Sequence, residues 1–168
     1  MNSVSYILDT NVFIEPWTKY YSPKFCTGYF ECLNKLGNNG VIAIPEMVQK
    51  EVAKVDDDLA HWLLNKSDIP VLNITESVQQ ALRSIYSHDP KHTRLTDTTK
   101  GRSMADPWVI AHAIVEKATV VSKEEKVVTK VSKKVKIPNV CDNMGIRCIQ
   151  DFEFIEEVGI KFEAKLGV

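Results

Sequence analysis

The sequence has no run of about 18 apolar residues, so a membrane-spanning helix is not expected. Its first residues carry neither a charged leader nor a small-residue cleavage site, so no signal peptide is expected either. Cys26, Cys32, Cys141 and Cys148 form no CxxC pair, and no Cys/His group has zinc-finger spacing. Such cysteines fit a reduced, cytoplasmic setting, where they serve as small core residues. Charge of one sign is also missing: 21 Lys and Arg against 22 Asp and Glu leave a net −1, so composition alone does not announce nucleic-acid binding. His61, His88, His92 and His112 are scattered, and no Ser-His-Asp arrangement stands out. There is no repeat, no low-complexity tract and no internal boundary, so residues 1–168 are expected to form one domain.

What is present is an alternation of short apolar runs and helical patterns. Val4–Leu8 is nearly continuously apolar, as in a central parallel strand covered on both faces, and ends abruptly on Asp9-Thr10-Asn11. An aromatic-rich segment with Phe13, Trp17, Tyr20 and Tyr21, interrupted by Pro16, is expected to be a loop. Ser22-Pro23 predicts a helix start, and Gly37 through Gly40 its end. Val41–Ile44 predicts a second strand, stopped by Pro45, with one helix from Glu46 to Asn65. Val71–Ile74 is a strand or a link, and Thr75 caps a helix to Tyr86. Residues 91–104 are polar, a loop of functional length. Asp106-Pro107 opens an apolar helix, followed by a strand at Thr119–Ser122. A lysine-rich segment, 117–136, has seven Lys against Glu124 and Glu125. A short helix from Asn139, a strand at Ile146–Ile149 and a final helix capped by Asp151 complete the chain. Strands alternating with helices predict a parallel sheet with right-handed crossovers.

Four acids hold equivalent places in this pattern. Asp9 ends the first strand, Glu51 lies on the helix after the second, Asp106 begins the helix before the third clear strand, and Glu124 follows that strand. In open parallel sheets such positions converge on the rim where ligands bind. Crowded carboxylates repel unless a cation neutralises them, and Mg²⁺ or Mn²⁺ prefers oxygen ligands.

The chain resembles the PIN-domain nucleases, in particular a PIN-like subfamily carried as uncharacterised. The matching stretches are Leu8–Glu15, Tyr20-Tyr21, Pro45–Glu51, Ala105–Ala111, Val120–Glu124 and Val135–Cys141, in family order over nearly the whole chain. The resemblance implies a three-layer α/β/α fold and Mg²⁺- or Mn²⁺-dependent endoribonuclease activity, often as the toxin of a type II toxin–antitoxin pair of the VapC-like type. It makes Asp9 the central metal ligand, Glu51 and Asp106 the second and third acids, and Glu124 a fourth that is usually Asp. Asp9, Asp106 and Glu124 would hold metal, while Asn11 and Ser122 would orient carboxylates and water. RNA, an antitoxin and a second copy of the chain are the implied partners. Basic residues must then offset the acids for a polyanion, with Arg94, Arg102, Lys123, Lys134 and Lys136 as candidates.

Each residue also has a plainer reading. Asp9 can cap a turn, and Asp106 can cap its helix. Glu51 and Glu124 can be solvated, as can the lysine-rich segment. Trp17, Tyr20 and Tyr21 read as packing residues before base-stacking ones. The competing functions are a metal-dependent phosphatase or DNA nuclease, or an inactive PIN-like binding or regulatory module.

Overall fold

The structure, a computed structural model, describes residues 3–129 and 133–167. Five parallel strands form one sheet: β1 (Tyr6–Leu8), β2 (Ile42–Pro45), β3 (Val71–Leu72), β4 (Thr119–Val121) and β5 (Cys148–Ile149), in the order β3-β2-β1-β4-β5. The expected three-layer α/β/α architecture is therefore what the chain adopts, and Val71-Leu72 is a strand, not a link. β1 is central, with Ile7 set against Ala43 on one side and Val120 on the other. Ile7, Leu8, Ile42, Ala43, Ile44, Val120 and Val121 have no solvent exposure, which explains why these strands are runs rather than alternations. The chain builds outward from β1 through β2 and β3, then crosses back to β4. The order thus reverses at the β1/β4 boundary, where open α/β sheets open a crevice at the strand C-termini.

Helix α1 (Asn11–Thr18) occupies the aromatic segment expected to be a loop. Pro16 lies inside it and offers no N–H to the Val12 carbonyl one turn earlier. The buried Tyr29 hydroxyl supplies that donor at 3.3 Å, so the helix tolerates its proline. Helix α2 runs Gly28–Asn38 and starts later than Ser22-Pro23 suggested. Ser22 to Cys26 is instead a turn closed by the Cys26 N–H on Ser22 O at 2.8 Å, which leaves Phe25 exposed. The expected Glu46–Asn65 helix is two: α3 (Glu46–Val52) and α4 (Asp58–Asn65). The Asp57 carboxylate accepts the Ala60 N–H at 2.9 Å and starts α4 afresh, which puts Val55 outside the core.

The segment 91–104 is partly ordered by a 3-10 helix (Pro90–Leu95) and an antiparallel bridge between Asp97 and Arg102. Before it lies α5 (Glu76–His88), capped by Thr75 as expected and packed on α6 (Asp106–Glu116). After β4 come α7 (Ile137–Met144) and α8 (Asp151–Glu157). Asp151 does not cap α8. Gln150 is the capping position, its N–H donating to Glu153 at 2.9 Å, and Asp151 turns inward to Lys123. No helix of the described residues is long and apolar enough to cross a membrane. The lysine-rich segment includes Lys130, which lies outside the described residues. Of the four cysteines only Cys141 is buried; the others are half-buried, and all are free thiols.

α2 ends within Gly37–Gly40 as expected: Gly37 lies in its last turn, where a Cβ would stand 2.6 Å from the Ile69 backbone, and Gly40 follows it with φ +69°. Ala gains about 1 kcal/mol of helix propensity over Gly. Overpacking against backbone costs about 1–3 kcal/mol. Gly37→Ala is therefore expected to lower the denaturant midpoint; a higher midpoint would show that α2 can move off the Ile69 segment.

Candidate metal-dependent active site

The sharp apolar-to-polar transition at the end of β1 builds the centre of the cleft. Asp9 N–H completes the ladder on Val121 O at 3.0 Å, and its side chain then projects from the strand end while only 2% exposed. Both oxygens are held: Oδ1 accepts the Thr10 N–H at 2.7 Å, and Oδ2 accepts the Ser122 hydroxyl at 3.0 Å. Ser122 in turn accepts the Glu124 N–H at 3.2 Å. The bond from Ser122 to Asp9 bridges the β1/β4 boundary, where the strand order reverses.

Asp106 is the first residue of α6, with Ala105 in the capping position and no side-chain cap bond. Its plainer reading as a helix cap therefore fails. Before it, Ser103 adopts a left-handed backbone with φ +56°. That conformation costs a non-glycine residue about 1–2 kcal/mol. The Ser103 carbonyl accepts the Asp106 N–H at 3.4 Å, and the Ser103 side chain favours the ionised Asp106 carboxyl. Lys54, three residues beyond Glu51, donates to Gly101 O at 3.2 Å and ties the α3 end to this loop. Glu51 is held by the Thr10 hydroxyl, which donates to its Oε2 at 2.6 Å.

These residues line a cleft of about 200 Å³ with Asp9, Thr10, Asn11, Ile14, Glu51, Ser103 and Asp106 on its walls. Glu124 lies outside that lining, and its Oε2 accepts the Ile137 N–H at 2.8 Å. Its charge nonetheless acts on both buried acids. Asp9 is pushed up to about 7, first by burial and then by Glu124, against the lowering effect of its two hydrogen bonds. Asp106 is pushed up to about 9 by burial, then by Asp9, Glu124 and Glu51. The four acids therefore share one electrostatic site, though Glu124 stands at its edge.

The donor set bears on a cation. No three His, Cys, Asp or Glu side chains among the described residues converge closely enough to hold a metal between them. Mg²⁺ does not need such a cage, since one or two carboxylates with waters and substrate oxygens suffice. Asp9 and Asp106 fit that role, because both are acids raised first by burial and then by like charge, which a cation relieves.

Among the basic residues, Arg94 and Arg102 are exposed on the 91–104 segment, Lys134 is exposed, and Lys136 is half-buried at the start of α7. Lys123 departs from expectation. Its ammonium sits 2.8 Å from Asp151 and 3.8 Å from Glu15, over the rings of Tyr20 and Phe152 at 4.9 and 5.1 Å. It is taken up within the protein by these acids and rings. Thr10 and Ser103 were absent from the sequence-predicted site. Thr10 stands between Asp9 and Asn11, a hint in itself, but its partner Glu51 is 41 residues away.

The raised acids give a signed expectation. A carboxyl whose folded pKa exceeds its unfolded value near 3.9 contributes stability below that value and loses it as pH rises through the folded pKa. Without metal, Asp9 and Asp106 should thus cost stability progressively from about pH 4 to about pH 9. Asp106→Asn removes the more strongly raised of the two groups. Its stability relative to the parent should rise over that range by at least about 1 kcal/mol, measured by urea unfolding in chelator. A pH-independent difference would mean that Asp106 carries no excess charge cost.

A family model described as a domain of unknown function, DUF4411, matches residues 6–162. No curated protein matches. Among solved structures, a chain of VapBC2 from Rickettsia felis, crystallised with a DNA fragment from the promoter, is 17% identical. The alignment covers 88% of this chain and 98% of that one, with a TM-score of 0.54. A chain from a toxin–antitoxin complex of Klebsiella pneumoniae is 14% identical over 79% of this chain and 98% of that one, with a TM-score of 0.47. With a PIN-like parallel sheet and a family model spanning nearly its whole length, the chain belongs to the DUF4411 family.

Proposed function

We propose that this protein is a metal-dependent endoribonuclease, acting as the toxin of a type II toxin–antitoxin pair in the cytoplasm. The observation that carries the reading is the joint electrostatic site of Asp9, Glu51, Asp106 and Glu124 at the strand-order reversal. A structural cap or a solvated surface acid has no reason to be buried among like charges. Bound at Asp9 and Asp106, with Glu124 at the edge, Mg²⁺ or Mn²⁺ would supply Lewis acidity and positive charge against a phosphate.

The chain's own groups divide the remaining work. Thr10 N–H and Ser122 Oγ–H fix both Asp9 oxygens and favour their ionised form. Glu51, on the cleft wall, accepts the proton of the attacking water. Asn11 and Ser103 offer the cleft polar groups to orient water and substrate. Hydrolysis adds that water to phosphorus, breaks the bond to the leaving sugar oxygen and returns a proton to it. Arg94, Arg102, Lys134 and Lys136 attract the RNA backbone from outside the acidic cleft. An antitoxin would cover or enter the cleft, and two copies of the chain would associate, as the family resemblance implies.

The test is incubation of purified protein with a defined RNA pool, with and without Mn²⁺, and mapping of the cut ends. Cleavage should require metal and fall by orders of magnitude in Asp106→Asn, which keeps the shape but not the charge. Metal-independent cuts, or parental cleavage by Asp106→Asn, would refute the reading.

A further inference from the structure

Thr10 occupies the capping position of α1, where a threonine hydroxyl ordinarily accepts an N–H of the first helical turn. Thr75 does so for α5, accepting the Val78 N–H at 3.3 Å, and Asp57 does so for α4. Thr10 makes no such bond. Its hydroxyl donates instead to Glu51 Oε2 at 2.6 Å, and its N–H donates to Asp9 Oδ1 at 2.7 Å. The residue is 5% exposed and lines the cleft. A short bond from a hydroxyl to a carboxylate is charge-assisted and fixes the acceptor's orientation. One residue thus sets two acids that come from different elements, the end of β1 and helix α3, and its helix goes without a side-chain cap.

We propose that Thr10 is a positioning residue of the acidic site, holding the Glu51 carboxylate in register with Asp9. A hydroxyl has a single proton, and here Glu51 takes it. With Oε2 so held, Glu51 has its second oxygen left to accept a proton or hydrogen bond in the cleft. Ser122 is used differently: it donates to Asp9 and accepts from the Glu124 backbone, so it ties strand ends and does not reach Glu51. No other hydrogen bond to the Glu51 carboxylate from a protein donor is present among the described residues, so Thr10 has no substitute there.

The inference rests on the nuclease reading, and two measurements keep the two separable. Thr10→Val keeps the shape and removes the hydroxyl; Thr10→Ser keeps the hydroxyl. With Mn²⁺ and saturating RNA, Thr10→Val should lower kcat about ten- to a hundredfold, the usual effect of losing such a supporting partner. Thr10→Ser should restore cleavage to within about threefold of the parent, since only the methyl packing is lost. KM for RNA should be little changed, because the hydroxyl does not touch phosphate, and no helix cap is lost to disturb folding. In a Glu51→Ala background, Thr10→Val should add less than about a twofold loss, because the two act as one unit. Parental kcat in Thr10→Val, or a full additional loss in the Glu51→Ala background, would overturn the proposal. The second measurement needs no activity. In metal-free denaturant unfolding, the parent, Thr10→Val, Glu51→Ala and the double variant should depart from additivity by about threefold or more in the unfolding constant. Additive values would overturn the proposal whatever the parent does with RNA. Non-additivity in a parent that cuts no RNA would uphold the Thr10–Glu51 contact and refute the nuclease reading alone.

Discussion

Asp9 and Asp106 are both buried beside Glu51 and Glu124, where ionising them together is opposed. Among the described residues no Lys or Arg forms an ion pair with either. Burial raises both acids, and Glu124 and Glu51 raise them further. A fold gains nothing from such an arrangement by itself, since desolvated like charges cost stability. The same lysines and acids elsewhere on the chain pair in the ordinary way, as Lys123 does with Asp151 and Lys50 with Glu46. Much of the local structure can be understood as holding this unfavourable cluster in place: the Ser122 bond between strand ends, the Thr10 bonds to two acids, and the strained Ser103 turn before Asp106.

The hydrophobic core makes the holding possible. Ile7, Leu8, Val120 and Val121 beneath Asp9 and Ser122 are fully buried and form one core with residues of the helices. Each large buried side chain contributes about 1.5–3 kcal/mol, so the core can carry a few unfavourable groups at its rim. Because β1 is central, its C-terminus cannot shift without disturbing β2 and β4 together. Precision at the site therefore comes from rigid elements, with the 91–104 segment closed on itself by the Asp97–Arg102 bridge and tied to the end of α3 through Lys54.

Much of this was legible in the sequence, for physical reasons that can be named. Central parallel strands are apolar throughout, so β1, β2 and β4 stood out, and the polar residues that ended them marked the rim. Where the sequence misled, a distant partner decided. Pro16 read as a helix breaker because the Tyr29 hydroxyl that replaces its missing donor lies 13 residues beyond it. Asp151 read as a cap, and Lys123 as a phosphate contact, because nothing local announces that each is the other's partner. Thr10 was passed over for the same reason: its role is set by Glu51, not by its neighbours.

The central claim is that these repelling carboxylates exist to bind a divalent cation. Acids raised to about 7 and about 9 hold protons near neutrality, and a cation must displace them to bind. The decisive measurement is Mn²⁺ titration calorimetry near pH 7 in buffers of different ionisation enthalpy, which counts protons released. The account predicts release of about one proton or more per bound ion, and weaker binding with less release in Asp106→Asn. Binding without proton release, or no saturable binding at all, would contradict it.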